Sequence, residues 1–229
     1  MKLRVIGVLG ILFLVSQVNA QENLVLKNQK DKISYIIGMD IGTNLKKQSI
    51  DIDSNILAKG VKDALAGMKP LLTEQEIQET MVAFQKEMMV KQAEVAKKNK
   101  AEGEAFLTEN KKKEGVKTLL SGLQYKVIKA GTGKKPKSTD TVTAHYRGTL
   151  INGSEFDSSY KRGQPATFPV SGGMISGWTE ALQLMEVGAK WQLFIPPNLA
   201  YGEQGAGRDI GPNATLIFEI ELVSIQEKK

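Results

Sequence analysis

Apolar residues recur at intervals of three and four from Leu24 to about Gly115, a stretch containing a single proline, Pro70. Ile33, Ile36, Ile37, Ile41 and Leu45 make one stripe, and Ile56, Leu57, Val61, Ala64 and Leu65 a second; this is the spacing of one face of an α-helix. The first helix is expected to begin near Asp31 and to end by Ser49 to Asp51. The second has Asp53 or Ser54 as N-cap, Gly67 just past its end and Pro70 beyond, which is the ordinary order of start and stop signals. Thr73-Glu74-Gln75-Glu76 is a capping box and opens a third helix. Ile77, Met81, Phe84 and Met88 give this helix an apolar start, but past Met89 and Val90 only Val95 interrupts a polar run that lasts until Phe106. Glu87 with Lys91, Glu94 with Lys98 and Glu109 with Lys113 are favourably ordered pairs four apart, enough to keep such a segment helical without a core behind it. A helix that is polar all round commonly bridges domains through solvent. Running from Thr73 to about Glu114 it would be about 60 Å long, with Gly103 as its flexible point.

After Gly122 the period becomes two. Val142, Ala144, Tyr146 and Leu150 alternate with polar neighbours, and Leu216, Phe218, Ile220 and Leu222 alternate with Ile217, Glu219, Glu221 and Val223, the pattern of half-buried antiparallel strands. Leu123 to Lys129 and Ala189 to Ile195 supply further strands, Asn152-Gly153 is a turn, and Trp178 to Met185 is a short helix after Gly177. The expected class is α+β: an all-α N-terminal region with a long linking helix, then an antiparallel-sheet domain of about 110 residues.

Residues 1–20 change the setting. Two positive charges, an apolar run from Val5 to Val15 and the small-residue end Val18-Asn19-Ala20 form a secretory signal peptide with cleavage after Ala20; the run is too short to span a bilayer, which takes about 20 residues. Past it, two short helices and the first turns of a third bury too little for a stable monomeric domain. Gly38 and Gly42 lie four apart on one helix face beside Met39, and such spacing lets another helix approach closely. A homodimer through these helices is expected, although the same glycines also suit packing within one chain.

Hydrophobic residues are 41% and charged residues 24%, ordinary soluble usage that argues against disorder and a polytopic membrane protein. There is no cysteine and one histidine, His145, which removes disulfides, thiol nucleophiles and Cys or His zinc sites. His145 reads as a core or rim residue rather than a metal ligand. The net charge of +6 is evenly spread: 17 lysines against 15 acids between residues 21 and 117, and 12 bases against 10 acids from Thr118 on. That excludes a nucleic-acid track. AGTGKK at 130–135 lacks the leading glycine and closing Ser/Thr of a phosphate loop, and GAGRDIG at 205–211 has the wrong glycine spacing for a dinucleotide site.

What remains is a set of aromatics in fixed contexts: HYRGTL around Tyr146, GSEFDSS around Phe156 and Asp157, MISGW ending at Trp178, LAYG ending at Tyr201, and PNATLIFEIEL around Phe218. In these strings the chain, over about Gly122 to Gln226, resembles the FKBP-type peptidyl-prolyl isomerases. The helical half with NKKKEGVKTLLSGLQYKVI at 110–128 resembles the Mip (macrophage infectivity potentiator) and FkpA branch, whose members are exported and dimerise through N-terminal helices. The resemblance implies a half-wrapped antiparallel sheet around a short helix, and isomerisation of X–Pro bonds with no metal or cofactor. It also implies a proline ring seated on Trp178, with Tyr146, Phe156, Phe168, Met174, Ile175, Ile210 and Phe218 as walls and Asp157 and the Tyr201 hydroxyl as polar contacts. Partners so implied are proline-containing unfolded or extended polypeptides and macrolides of the FK506/rapamycin type. Ala166, Met174 and Asp209 depart from the family's usual residues and point to a wider or more polar rim.

The organisation expected is a signal peptide at 1–20, a helical dimerisation domain at 21–72, a linker helix at 73–117 and the isomerase domain at 118–229, placed in the periplasm or at the outer membrane and cell surface of a Gram-negative bacterium. A holdase role alongside catalysis would use Met39, Met81, Met88 and Met89 as adaptable apolar surface, though methionines at helical spacing also serve ordinary cores.

Overall fold

The computed structural model describes residues 25–226, so the segment read as a signal peptide lies outside the described residues. The chain divides into two units, the first ending at Leu45 and the second beginning at Lys46.

Helix α1 (Gln29–Lys47) starts two residues before Asp31, and the chain leaves it through Ser49 at a left-handed φ of 53°. Helix α2 (Ser54–Leu65) is capped by Asp53, whose carboxylate accepts the Asn55 and Ile56 amides, with Gly67 at φ 64° past its end. Neither helix contains a buried residue. Ile36 is 65% exposed and Leu65 85%, so the apolar stripes that define these helices are uncovered in the single chain.

Helix α3 (Glu74–Asn110) opens on the Thr73–Glu76 capping box and stops four residues before Glu114. Of the three expected ion pairs along it, Glu87–Lys91 forms at 2.7 Å; Lys98 faces Glu102 instead, and Lys112 takes Glu109 while Lys113 lies over the Phe106 ring. These pairs are exposed and worth little singly.

The solvent-arm reading fails over the last third of α3. Gly103 and Asn110 are buried, Phe106 meets Phe194 at 5.9 Å, and Gln124 donates to the Leu107 carbonyl at 2.9 Å while accepting from Asn110 at 3.0 Å. Gly103 is no hinge: a Cβ there would collide with the Thr215 side chain, so glycine is present to let the helix touch the sheet.

The sheet has seven antiparallel strands: β1 (Val116–Thr118), β2 (Gln124–Lys129), β3 (Thr141–Leu150), β4 (Glu155–Ser158), β5 (Ala166–Pro169), β6 (Lys190–Ile195) and β7 (Leu216–Gln226). Their order is β1-β2-β6-β7-β3-β4, with β5 paired to the first half of β3. Helix α4 (Ser176–Leu182) buries Trp178, Ala181 and Leu182 with Val142, Leu193, Ile195, Leu216, Ile220 and Leu222 in one apolar core. Gly177 lets the helix start close to β6, since a Cβ would lie 2.6 Å from Ile195 Cγ2. The class is α+β, with a sheet folded around a short helix.

Candidate functional site

Alternation along β3 and β7 sends Tyr146 and Phe218 towards α4, and the hairpin from β3 into β4 returns Phe156 and Asp157 beside them. All meet Trp178. Its indole lies edge-on to Tyr146 at 5.2 Å, to Phe168 at 5.2 Å and to Phe218 at 5.1 Å, and Phe156 packs edge-on against Phe218 at 5.4 Å. These are favourable aromatic geometries. Gly148 makes room for them, because a Cβ there would stand 2.6 Å from the Phe156 ring and 2.7 Å from that of Phe218.

Trp178 is wholly covered, and its Nε1 has no hydrogen-bond partner among the described residues. Met174, Ile175 and Ile210 are half-buried against the same core. Tyr201 stands further out, 40% exposed; burial pushes its hydroxyl up and the Asp157 charge adds to the shift. Asp209, on the loop that carries Ile210, pairs with Lys47 at 2.7 Å, both side chains about half exposed. Ala166 packs half-buried beside the core.

The polar edge is a three-residue arrangement. The Tyr146 hydroxyl donates to Asp157 Oδ2 at 2.6 Å, Arg162 Nη1 donates to Asp157 Oδ1, and Arg162 Nη2 donates to the Tyr146 oxygen at 2.6 Å. Arg162 also lies over the Tyr146 ring, 5.3 Å from its centroid. Burial pushes the Asp157 carboxyl up, but the Tyr146 hydroxyl and Arg162 outweigh it and hold the group below its ordinary value of 3.8. Burial raises the Tyr146 hydroxyl and its bond to Asp157 adds to this, so at neutral pH tyrosine is the donor and aspartate the acceptor.

A pH dependence follows. A depressed folded value makes the Asp157 contribution complete above 3.8 and lost as pH falls through that lower value. Any activity of this site that needs the Asp157 carboxylate, measured downwards from neutrality, is expected to keep its acid limb below about pH 4; an Asp157-dependent loss already complete at about pH 5 contradicts this.

Arg162 was not legible from the spacing. Its signal is local: five residues after Asp157, across the turn that closes at Gly163 with φ 74°, it is the nearest guanidinium in sequence. His145 is held apart from the cavity, with Nδ1 3.1 Å from Ser159 Oγ and the ring stacked on Tyr160 at 4.8 Å.

Comparison with known proteins gives the family of the chain. Family models described as the domain amino terminal to FKBP-type peptidyl-prolyl isomerase and as FKBP-type peptidyl-prolyl cis-trans isomerase match residues 30–127 and 132–223. The chain is 49% identical to an outer membrane protein MIP of Legionella longbeachae over 99% of this chain and 98% of that one. It is 47% identical to a peptidyl-prolyl cis-trans isomerase Mip of Coxiella burnetii, covering 89% and 90%. Among solved structures it is similar to FkpA from Escherichia coli, with TM-score 0.63 and 41% identity over 88% of this chain and 99% of that one.

Proposed function

The chain belongs to the FKBP-type peptidyl-prolyl cis-trans isomerases, and on that premise we propose that the substrate proline is isomerised in the cavity built on Trp178. The enzyme catalyses rotation about X–Pro bonds and so assists protein folding. One observation carries the assignment of the site: Tyr146, Phe156, Phe168 and Phe218 converge with Trp178, and the Asp157–Tyr146–Arg162 arrangement closes one edge.

The chemistry asks for nothing else. Rotation about an X–Pro bond meets a barrier of about 20 kcal/mol because it breaks amide conjugation. The twisted amide is less dipolar at its carbonyl than the planar one, so a cavity that excludes water disfavours the ground state more than the transition state. A tyrosine hydroxyl or backbone amide holding the preceding carbonyl adds orientation, and Tyr201, partly exposed within reach of the Asp157 charge, is the hydroxyl assigned that role in this proposal. Because the Trp178 indole has no exposed area, a proline ring reaches it only when a wall residue gives way. Met174, unbranched and half-buried, is the side chain most easily displaced.

The proposed organisation is a helical dimerisation domain at 21–72, α3 as linking helix and an isomerase domain from 118. Two observations support a homodimer: α1 and α2 bury nothing within the chain, and the space where Cβ atoms would lie at Gly38 and Gly42 is open. Export to the periplasm or outer membrane is proposed on the signal-like residues 1–20 and on the relative named an outer membrane protein. Exposed Met39, Met81 and Met89 support an accompanying holdase role.

The test is cis-to-trans relaxation of a short proline peptide with catalytic amounts of the chain, repeated with an FK506-type macrolide. Acceleration that the macrolide abolishes is expected, since both would occupy one cavity. Acceleration the macrolide leaves untouched would move catalysis elsewhere.

A further inference from the structure

Tyr201 and Ile210 are carried by a long flap between β6 and β7. Its own ties fold it upon itself: Ala206 and Ile210 exchange backbone hydrogen bonds of 2.9 and 3.2 Å, and the Asn213 amide donates to the Gly202 carbonyl at 2.8 Å. Two contacts hold it from outside: the exposed pair of Asp209 with Lys47, and a part-buried one from α3. Asn99, half-buried, donates from Nδ2 to the Pro212 carbonyl at 2.8 Å across 113 residues of sequence. A Cβ at Gly211 would lie 3.0 Å from that same nitrogen and 3.5 Å from Val95 Cγ1, so the flap backbone rests directly on the helix.

The stripe continues. Val95, Asn99, Gly103 and Leu107 are four apart on one helix face. Gly103 abuts Thr215, which is buried at the foot of β7, the strand that brings Phe218 to the cavity, and the Leu107 carbonyl accepts from Gln124. This docking face mixes glycine and a side-chain amide with widely spaced apolar residues, which is why its hydropathy pattern reads as solvent-facing.

We propose that α3 holds the pocket flap in its working position and that Asn99 is the positioning residue through which it does so. The Pro212 residue is buried, and a buried carbonyl that loses its donor favours any conformation that restores one. Losing Asn99 therefore releases the flap, and with it the Ile210 and Tyr201 side of the cavity, without touching Trp178, Asp157 or Phe218.

The inference rests on the cavity being the proline site, and its test separates the two. In the full chain, Asn99→Asp keeps the side-chain shape but cannot donate, and Asn99→Ala removes the group. Both are expected to raise KM for a proline peptide about threefold to tenfold, the worth of one neutral hydrogen bond, with kcat held within about twofold. Amide exchange at Ala206, Ile210 and Asn213 should speed up by a similar factor while Ile220 and Leu222 in β7 keep their protection. Unchanged flap exchange with unchanged KM overturns the proposal. So does a parallel loss of kcat and of β7 protection, which marks a structural role only. Faster flap exchange in a chain whose wild type does not turn over the peptide upholds the flap contact and sinks the cavity assignment instead.

Discussion

Asp157→Ala is expected to lower kcat/KM for a short proline peptide by about tenfold to a hundredfold, the equivalent of losing a hydrogen-bonded charge at the reacting group. The argument is geometric. Asp157 is the acceptor for the Tyr146 hydroxyl and the counter-ion of Arg162, and Tyr146 packs edge-on against Trp178. Removing the carboxylate takes the acceptor from Tyr146 and the counter-ion from Arg162; the two keep their mutual bond, but the wall formed by Tyr146 is held at one point fewer and the edge of the site gains an uncompensated positive charge. Folding should survive, because the Asp157 side chain is 42% exposed and an exposed pair adds little stability. Asp157→Asn keeps an acceptor without the charge and should fall between wild type and alanine. Equal activity in all three proteins would show that Asp157 is not part of the site.

The second large effect concerns assembly. The wild-type chain is expected to show twice its mature mass by light scattering, and Gly38→Leu combined with Gly42→Leu to show the single mass. Within one chain these positions are open, and leucine is a better helix former than glycine by about 1 kcal/mol per residue. A monomer should therefore be indifferent or stabilised. A partner helix resting on those glycines would be pushed away. Turnover of a short peptide should hardly change in the variant, whereas suppression of aggregation of an unfolded protein should fall; deleting residues 21–70 should act in the same direction. An unchanged mass in the double variant would place the dimer contact elsewhere, and a wild-type monomer would remove it.

The helices were legible because their signals are redundant. Asp53, Gly67 and the Thr73–Glu76 box mark ends that periodicity alone leaves loose, and α2 and α3 begin at those caps. Strands β3 and β7 showed through sustained alternation, and β2 and β6 were expected as further strands beside them. Strands β1, β4 and β5 are only three or four residues long, too short to establish a period, and their existence depends on the neighbours they pair with. The docking of α3 was misread for a physical reason: Gly103 and the amides of Asn99 and Asn110 carry much of its contact face, so Phe106 and Leu107 stand isolated in the apolar pattern. At the site, the aromatics stood out only through their family contexts, since tyrosine, phenylalanine and tryptophan fill ordinary cores equally well. Arg162 and the Asn99 contact with Pro212 were beyond reach because each depends on where a loop comes to rest.

The central claim is that an X–Pro bond turns over against Trp178. It is tested most directly by NMR of a proline peptide exchanging between cis and trans in the presence of catalytic amounts of the protein. Magnetisation transfer between the proline ring protons and the Trp178 indole, growing with the catalysed exchange rate and lost in Asp157→Ala as exchange slows, is the predicted result. Catalysed exchange with no transfer between that ring and the indole would contradict the account.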